Sequence, residues 1–292
     1  MTTAFEKTSG GAILMDGKVV AETVQSKIAK QLEQSPNTKV TLATVLIGDD
    51  PASKLYVGMK EKRAAAVGIH SKHVELAGDI TMPQACEEIT KLANDPDVHG
   101  ILIQLPLPKQ LDTHEIIDLL PPEKDVDGLS KNNLGKLMRG TPGLVPCTPL
   151  GVMRILEHYQ IETSGQRAVV IGRSTLVGLP QVLLLGSKGT DATVTLAHSR
   201  TSNIGEFTNS ADIVVAAAGI AHLVKKEHIK PGATVIDVGV TRTDDGIRGD
   251  VDFDAVQSIA GAITPMPGGT GPMTVACLLE NTLFAAKLQN VI

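Results

Sequence analysis

Short apolar runs alternate with amphipathic stretches along almost the whole chain. In the first half, the runs predict strands at 40–47, 74–76 and 100–105, and the amphipathic stretches predict helices at 51–67, 82–92, 113–120 and 131–139. In the second half, strands are expected at 168–171, 193–197, 213–217 and 234–238, with helices between them and a last helix at about 273–288. The alternation predicts an α/β fold with parallel sheets and helices on both faces.

The chain has 292 residues, which is long for a single core, so two domains are expected. A segment rich in glycine and proline, 140–149, is the predicted junction. We expect a flexible tail at 1–10, a first domain at 11–147 and a second at 148–271. The C-terminal helix, within 272–292, is expected to pack back on the first domain.

A glycine turn follows the apolar run that ends at Ile171. The turn spans Gly172–Gly178, and an apolar, helix-compatible stretch, 179–185, leaves it. Strand, turn and helix in this order are typical of a site that places a dinucleotide pyrophosphate at a helix N-terminus. Because Ser174 replaces the usual middle glycine, the turn alone does not distinguish such a site from a tight turn without ligand.

The end of the next strand indicates which dinucleotide is bound. Enzymes that use NAD usually place an acidic residue there, to hold the ribose 2′-hydroxyl. In this chain the strand 193–197 is followed by His198, Ser199 and Arg200. Arg200 and the nearby Arg173 suit a 2′-phosphate, which a carboxylate would repel. The sequence therefore predicts NADP rather than NAD.

In the first half, polar residues gather on one helix and at one strand end. Ser53, Tyr56 and Lys60 follow Asp50 with helical spacing, and Tyr56 and Lys60 share a face. An aromatic ring beside an amine could bind and act on a flat, polar substrate, although a solvated helix face is the alternative. Gln104 ends a buried strand, where α/β proteins place ligands, or is a solvated strand end.

Two further segments have open interpretations. Asp125 and Asp127 could bind a divalent metal, grip a nitrogen-rich heterocycle or form an Asx-type turn. Metal is least favoured, because no histidine lies close by, so we expect none. Gly268 and Gly269 lie just before Pro272, which is expected to begin a helix. The glycines would allow the backbone of this loop to approach a ligand closely; the alternative is a flexible hinge.

Composition limits the remaining classes. The formal net charge is −5 and no apolar run approaches 18 residues, so neither nucleic acid nor a membrane is an expected partner. No secretory signal is visible at the N-terminus. The three cysteines, Cys86, Cys147 and Cys277, are unclustered, which is typical of reduced thiols in a cytoplasmic protein.

Taken in order, these motifs resemble those of the bifunctional methylenetetrahydrofolate dehydrogenase/cyclohydrolase family. The matching strings are Asp50–Ser53 with Tyr56 and Lys60, Gln104–Pro108, Lys124–Gly128, Pro146–Pro149, Gly172–Gly178, His198–Ser199, Lys230–Ala233, Gly249–Val251 and Pro265–Thr274. Three places depart from the family pattern: Ser130–Lys131 replaces a common His–Pro pair, Thr270 replaces valine, and the 217–222 loop is unusual.

The resemblance implies two α/β domains with a cleft between them, the second a Rossmann-type NADP-binding domain through which homodimers form. In the implied reaction, 5,10-methylene-tetrahydrofolate is oxidised with NADP⁺ to the methenyl cation, which is hydrolysed to 10-formyl-tetrahydrofolate in the same cleft. A dehydrogenase without hydrolysis, and a nucleotide-sensing or scaffolding module without turnover, remain alternatives.

The resemblance also implies roles for individual residues. The implied catalytic residues are Lys60, central to hydrolysis, with Gln104 tuning it, Asp127 on the pterin edge and Tyr56 stacked on the aminobenzoyl ring. The implied substrate-binding residues are Ser53, Tyr56, Asp127, Gly268, Gly269 and Pro272. The implied cofactor-binding residues are Thr148, Gly172, Arg173, Ser174, Gly178, His198, Ser199 and Arg200, with Arg173 and Ser199 on the 2′-phosphate.

Overall fold

The structure, a computed structural model, describes residues 5–244 and 246–292. Its helices are α1 (Gly17–Glu33), α2 (Pro51–Ala66), α3 (Met82–Asn94), α4 (Thr113–Asp118), α5 (Lys131–Met138), α6 (Cys147–His158), α7 (Gly178–Gly186), α8 (Gly205–Thr208), α9 (Phe253–Val256) and α10 (Thr270–Leu288). Its strands are β1 (Ile13–Leu14), β2 (Thr41–Ile47), β3 (His70–Leu76), β4 (Gly100–Ile103), β5 (Arg167–Ile171), β6 (Thr193–Ala197), β7 (Ile213–Ala216), β8 (Thr234–Asp237), β9 (Thr241–Thr243), β10 (Gly246–Arg248) and β11 (Ala262–Ile263). Within these ranges, no helix is both long enough and apolar enough to cross a bilayer.

The chain divides into two compact units, which confirms the two-domain α/β fold. The first unit comprises 22–147 and 275–292, and the second comprises the residues up to 21 together with 148–274. The division differs from the expected start of the first domain at residue 11. The reason is β1, which pairs with β11 in the sheet of the second unit.

The first unit contains a three-stranded parallel sheet in the order β3-β2-β4. Its central strand, β2, is buried at every position, as expected for an uninterrupted apolar run between two neighbours. The edge strand β3 is longer than predicted, because its first residues are polar and exposed and give no hydrophobic signal. At the other edge, the carboxyl end of β4 leads directly into Gln104.

The second unit contains a six-stranded parallel sheet in the order β1-β11-β8-β7-β5-β6. Strand β5 lies between β6 and β7, and Ile171, at its end, is in register with Ala197 of β6 and Ala216 of β7. The carboxyl ends of these three strands are therefore level with one another. Here the strand order reverses direction, which is where doubly wound sheets bind ligands.

Some elements were not expected from the sequence. Helix α1 was not predicted, and neither was the small antiparallel hairpin of β9 and β10. Residues 5–10, expected to form a flexible tail, make backbone contacts: Lys7 pairs with Ile13, and the Leu14 N–H donates to the Glu6 carbonyl at 2.8 Å. The rest of that tail, residues 1–4, lies outside the described residues.

Candidate functional site

Lys60 and Gln104 meet in the first unit, although 44 residues separate them. Asp50 caps α2 by accepting the Ser53 N–H at 2.7 Å, and Pro51 occupies the first turn, so the helix begins where the sequence predicted. Three turns further on, Lys60 Nζ donates to Gln104 Oε1 at 2.9 Å. Gln104 Nε2 donates to the Leu105 carbonyl at 2.7 Å, which fixes the orientation of the amide. Gln104 is thus a partner of Lys60 and not a solvated strand end.

The surroundings of Lys60 change its acid–base properties. Burial lowers the pKa of Lys60, while the negative charge of Asp127 acts in the opposite direction. Burial raises the pKa of Asp127, and the positive charge of Lys60 opposes that rise. Each of the two charges therefore makes the other less costly to bury. An amine with a lowered pKa is a better proton acceptor near neutral pH.

The two carboxylates of the 124–128 segment have different partners. Asp125 is buried and braces the chain: its oxygens accept the N–H of Leu129 at 3.2 Å, the N–H of Ser130 at 2.9 Å and the Asn133 amide at 2.9 Å. These backbone partners lie four and five residues beyond Asp125, whereas an Asx-type turn would use the N–H two residues on, so Asp125 ties the segment to the start of α5 instead. Asp127 is the carboxylate whose charge acts on Lys60. In the described ranges, no group of three His, Cys, Asp or Glu side chains could hold a metal ion.

Asn281, on α10, is a site residue that sequence reasoning missed. It is almost fully buried, and its Nδ2 donates to the carbonyls of Val126 and Val145, each at 2.8 Å, and contacts Cys147 Sγ at 3.6 Å. It thereby fixes the backbone immediately before Asp127. A lone asparagine in an apolar helix gives no signal of such a contact, which depends on tertiary packing.

Tyr56 and Ser53 have different environments on α2. Tyr56 shares the helix face of Lys60, and 37% of its surface is exposed, so its ring is available to a ligand. Ser53 is buried at the start of the helix, where its backbone N–H is already used by the Asp50 cap.

In the second unit, the glycine turn is tightly built. A Cβ on Gly172, where φ is +127°, would lie 2.1 Å from the Ala217 carbonyl oxygen, and one on Gly178 would lie 2.0 Å from the Gly172 oxygen. Ser174 Oγ accepts the N–H groups of Val177 at 3.1 Å and Gly178 at 3.4 Å. These two hydrogen bonds to the Ser174 side chain stabilise the turn, which explains why a serine can occupy the place of the usual glycine. Together with the start of α7, the turn forms a cradle that suits a diphosphate.

The residues expected around a 2′-phosphate come from two neighbouring strand ends. Arg173 lies two residues beyond Ile171 of β5, and Ser199 lies two beyond Ala197 of β6, so the register of the strands brings them to one edge. Both side chains are exposed, and so is Arg200. His198 Nδ1 accepts the Arg200 N–H at 3.2 Å and so shapes the turn that carries Arg200. The donor set of two guanidinium groups and a hydroxyl fits a phosphate dianion.

The remaining expected site residues lie at the start of α10. Gly268 has φ of +113°, and its carbonyl accepts the Gly17 N–H at 3.0 Å, so the loop packs against the start of α1. A Cβ on Gly269 would lie 2.6 Å from the Pro265 oxygen. The helix begins at Thr270, two residues before Pro272, where the sequence analysis had placed its start. Thr148 Oγ1 lies 2.9 Å from Thr274 Oγ1 on α10.

Comparison with known proteins supports one family over both units. The sequence model of the tetrahydrofolate dehydrogenase/cyclohydrolase catalytic domain matches residues 15–127, and that of its NAD(P)-binding domain matches 146–290. The bifunctional protein FolD of Methanoculleus marisnigri is 50% identical over 278 residues, covering 95% of this chain and 97% of that protein.

Solved structures agree with these matches. The bifunctional FolD from Campylobacter jejuni has a TM-score of 0.91 at 41% identity and covers 94% of this chain and 99% of its own. The Trypanosoma brucei methylenetetrahydrofolate dehydrogenase-cyclohydrolase, solved with NADP and an inhibitor, has a TM-score of 0.89 at 39% identity and covers 96% and 98%. The chain therefore belongs to the tetrahydrofolate dehydrogenase/cyclohydrolase family.

Proposed function

We propose that Lys60, held by Gln104 and balanced by Asp127, moves the protons of the hydrolytic step in a two-step folate reaction. The protein oxidises 5,10-methylene-tetrahydrofolate to the 5,10-methenyl cation with NADP⁺, and then hydrolyses the cation to 10-formyl-tetrahydrofolate. The observation that supports the role of Lys60 most strongly is its 2.9 Å bond to Gln104 in surroundings that lower the pKa of the amine.

The hydrolytic step needs a base and then an acid at the same place. Water adds to the cationic carbon between N5 and N10, and the neutral Lys60 amine accepts a proton as the carbon–oxygen bond forms. The bond from that carbon to N5 then breaks, N5 gains a proton, and the carbon becomes the formyl group on N10. Over the whole step, one of the two protons of water ends on N5 and the other is released.

Gln104 and Asp127 set the properties of Lys60 by different means. Gln104 accepts one N–H of Lys60 and so directs the rest of the amine toward the substrate. Asp127 supplies the negative charge that limits the lowering of the Lys60 pKa, and in the folate complex its carboxylate accepts N–H bonds from the pterin. Tyr56 stacks its exposed ring on the aminobenzoyl group, and Ser53 completes the folate-binding surface of the first unit.

The second unit binds NADP. NADP⁺, when bound, accepts the hydride released from the methylene bridge. Gly172, Ser174 and Gly178 form the cradle for its diphosphate. The 2′-phosphate lies against Arg173, Ser199 and Arg200. His198 accepts the Arg200 N–H and so stabilises the turn that carries Arg200. Gly268, Gly269, Pro272 and Thr148 complete the ligand-binding edge of this unit at the start of α10.

The protein is proposed to act as a cytoplasmic homodimer. Its three cysteines, which all lie in the described ranges, are thiols and not disulfides, which suits a reducing compartment. The second unit exposes two leucines around the start of α7, Leu176 at 43% and Leu179 at 41%, and its strand β6 is a sheet edge. Apolar surface of this kind favours association of two copies through the second unit. Sedimentation equilibrium at the concentration of the assays would give the mass of one chain if this proposal is wrong.

The test of the proposed function is a product analysis with the intact protein. The protein is mixed with 5,10-methylene-tetrahydrofolate and NADP⁺, and NADPH, the methenyl species and 10-formyl-tetrahydrofolate are separated and measured over time, beside a mixture without protein. NADPH together with 10-formyl product, formed faster than by uncatalysed hydrolysis, is expected. NADPH with accumulating methenyl species would contradict the hydrolytic role of Lys60, and absence of NADPH would contradict the whole proposal.

A further inference from the structure

A buried carboxylate in the second unit holds three consecutive backbone N–H groups. Asp250 has no exposed surface. Its Oδ2 accepts from Ala218 at 2.6 Å and Gly219 at 3.0 Å, and its Oδ1 accepts from Ile220 at 2.8 Å. These are charge-assisted bonds in a water-poor environment, where each is worth more than a neutral bond. One side chain therefore fixes the course of a whole loop.

That loop lies against the glycine turn that we assign to the NADP diphosphate. It follows β7, the neighbour of β5, and Ala217 donates its N–H to the Ile171 carbonyl at 2.7 Å. The Ala217 carbonyl oxygen is the atom that a Cβ on Gly172 would meet at 2.1 Å. Any movement of the loop would thus be transmitted to the backbone of the cofactor turn.

Asp250 is itself held by a second buried carboxylate. Asp237, at the end of β8, accepts the Asp250 N–H at 2.9 Å through Oδ1 and the Val251 N–H at 3.0 Å through Oδ2. Two glycines leave room for the carboxylates of Asp237 and Asp250, which no larger residue at these positions would do. A Cβ on Gly239 would lie 1.9 Å from Asp250 Oδ1, and one on Gly249 would lie 1.9 Å from Asp237 Oδ2. The two carboxylates and the two glycines therefore form one closely packed cluster.

We propose that Asp250 is a positioning residue for NADP binding, which fixes the 217–220 loop against the Gly172–Gly178 turn. The inference rests on the proposed function, because it takes that turn to be the NADP site. A loop already held in place needs no further ordering when the cofactor binds, so its fixation strengthens binding without any contact between Asp250 and NADP. Asp237 supports Asp250 and acts one step further from the cofactor.

The test is the dissociation constant of NADPH for the Asp250→Asn variant. The asparagine amide keeps one acceptor oxygen, but its NH₂ group would face backbone N–H groups that are themselves donors. The 217–220 loop would therefore lose part of the hydrogen bonding that fixes it. We expect NADPH to bind at least about tenfold more weakly. Asp252→Asn is the matched control: the same change two residues away, at a helix cap that accepts the Ala255 N–H and that asparagine serves equally well.

A second readout separates positioning from damage to the fold. Hydrolysis of the methenyl substrate needs no NADP. In Asp250→Asn, we therefore expect kcat/KM for hydrolysis to fall far less than the dehydrogenase kcat/KM for NADP⁺. Unchanged NADPH affinity, or an equal fall in both activities, would overturn the inference. If Asp250→Asn does not fold, Asp237→Asn is tested instead; weaker NADPH binding is expected, and wild-type affinity would overturn the inference.

Failure of the inference and failure of the proposed function give different results. If the wild-type protein does not bind NADPH, or binds it equally well after Arg173→Ala, the assignment of the cofactor site is wrong. If the wild-type protein binds NADPH in a manner that depends on Arg173 while Asp250→Asn binds equally well, only the role of Asp250 is wrong.

Discussion

Lys60 Nζ donates a 2.9 Å hydrogen bond to Oε1 of Gln104, which joins helix α2 to the end of strand β4. The amide cannot easily turn away, because its other end donates to the Leu105 carbonyl. With one N–H of Lys60 committed in this way, the remaining part of the amine has a defined direction. A partly buried amine with a fixed direction and a lowered pKa is suited to transfer protons at one position of a substrate.

The first prediction concerns the pH dependence of hydrolysis. Its kcat/KM is expected to rise with pH as Lys60 loses its proton, with an apparent pKa below the ordinary lysine value. Asp127→Asn removes a negative charge that raises the Lys60 pKa, so the rising limb should move to lower pH even if the rate falls. The measurement is the kcat/KM profile for the methenyl substrate, which reports on the free enzyme.

Gln104→Glu provides the opposite change at the same amine. A carboxylate in place of the amide oxygen would lie 2.9 Å from the Lys60 nitrogen and stabilise its charged form, so the limb should move to higher pH. Shifts of the same sign in both variants, or no shift in either, would show that the limb does not belong to Lys60.

A second prediction concerns the choice of cofactor. Arg173→Ala should lower kcat/KM for NADP⁺ by about 10–100-fold, because it removes a charge-assisted contact with the 2′-phosphate, and should leave that for NAD⁺ nearly unchanged. Arg167→Ala, at the other end of β5, is the control and should change neither value. An equal loss with both cofactors would mean that Arg173 does not contact the 2′-phosphate.

The glycine turn gives a third prediction, on stability and binding. In Gly178→Ala the new Cβ would lie 2.0 Å from the Gly172 oxygen, and the turn must open. We expect a loss of about 1–3 kcal/mol in the free energy of unfolding, with weaker NADPH binding. Gly186→Ala, at the other end of α7, meets Val194 only at 3.7 Å and should show neither effect. Thermal melting and NADPH titration of the two variants make the comparison.

The fourth prediction uses the buried carboxyl group of Asp237. Burial raises its pKa from 3.8 to about 6, and the negative charge of Asp250 adds to the rise. The folded protein therefore binds the proton more tightly than the unfolded chain, so the stability from this group is present below pH 4 and is lost as the pH rises to about 6. Relative to Asp237→Asn, the free energy of unfolding should fall by up to about 3 kcal/mol over that range.

Denaturant unfolding of the wild-type protein and Asp237→Asn, at several pH values between 4 and 7, measures this difference directly. A difference that grows with pH would mean that the hydrogen bonds from Asp250 and Val251 outweigh the effect of burial.

The parts of the fold that the sequence predicted are those whose pattern follows from burial alone. Strands β2 and β4 are buried at every position, and their apolar runs are uninterrupted. Helix α2 begins with a capping aspartate and a proline, which are local signals. The edge strand β3 was predicted too short and α1 was missed, because an exposed edge and a mostly polar helix carry only weak periodicity.

The site was predicted as a set of residues but not as an arrangement. Helical spacing placed Tyr56 and Lys60 on one face, yet the pairing of Lys60 with Gln104 depends on how α2 packs beside the sheet, which no local pattern encodes. Asp125 and Asp127 look equivalent in the sequence, and only the hydrogen bonds of Asp125 show that it braces the chain. Asn281 and Asp250 act through contacts with residues distant in the chain, so no spacing pointed to their roles.

The most direct test of the central claim is a product analysis of Lys60→Met, with Lys62→Met, an exposed lysine on the same helix, as control. With 5,10-methylene-tetrahydrofolate and NADP⁺, we predict that Lys60→Met forms NADPH but accumulates the methenyl species, hydrolysing it no faster than buffer does, while Lys62→Met behaves as the wild type. Formation of 10-formyl-tetrahydrofolate at the wild-type rate by a folded Lys60→Met protein would contradict the account.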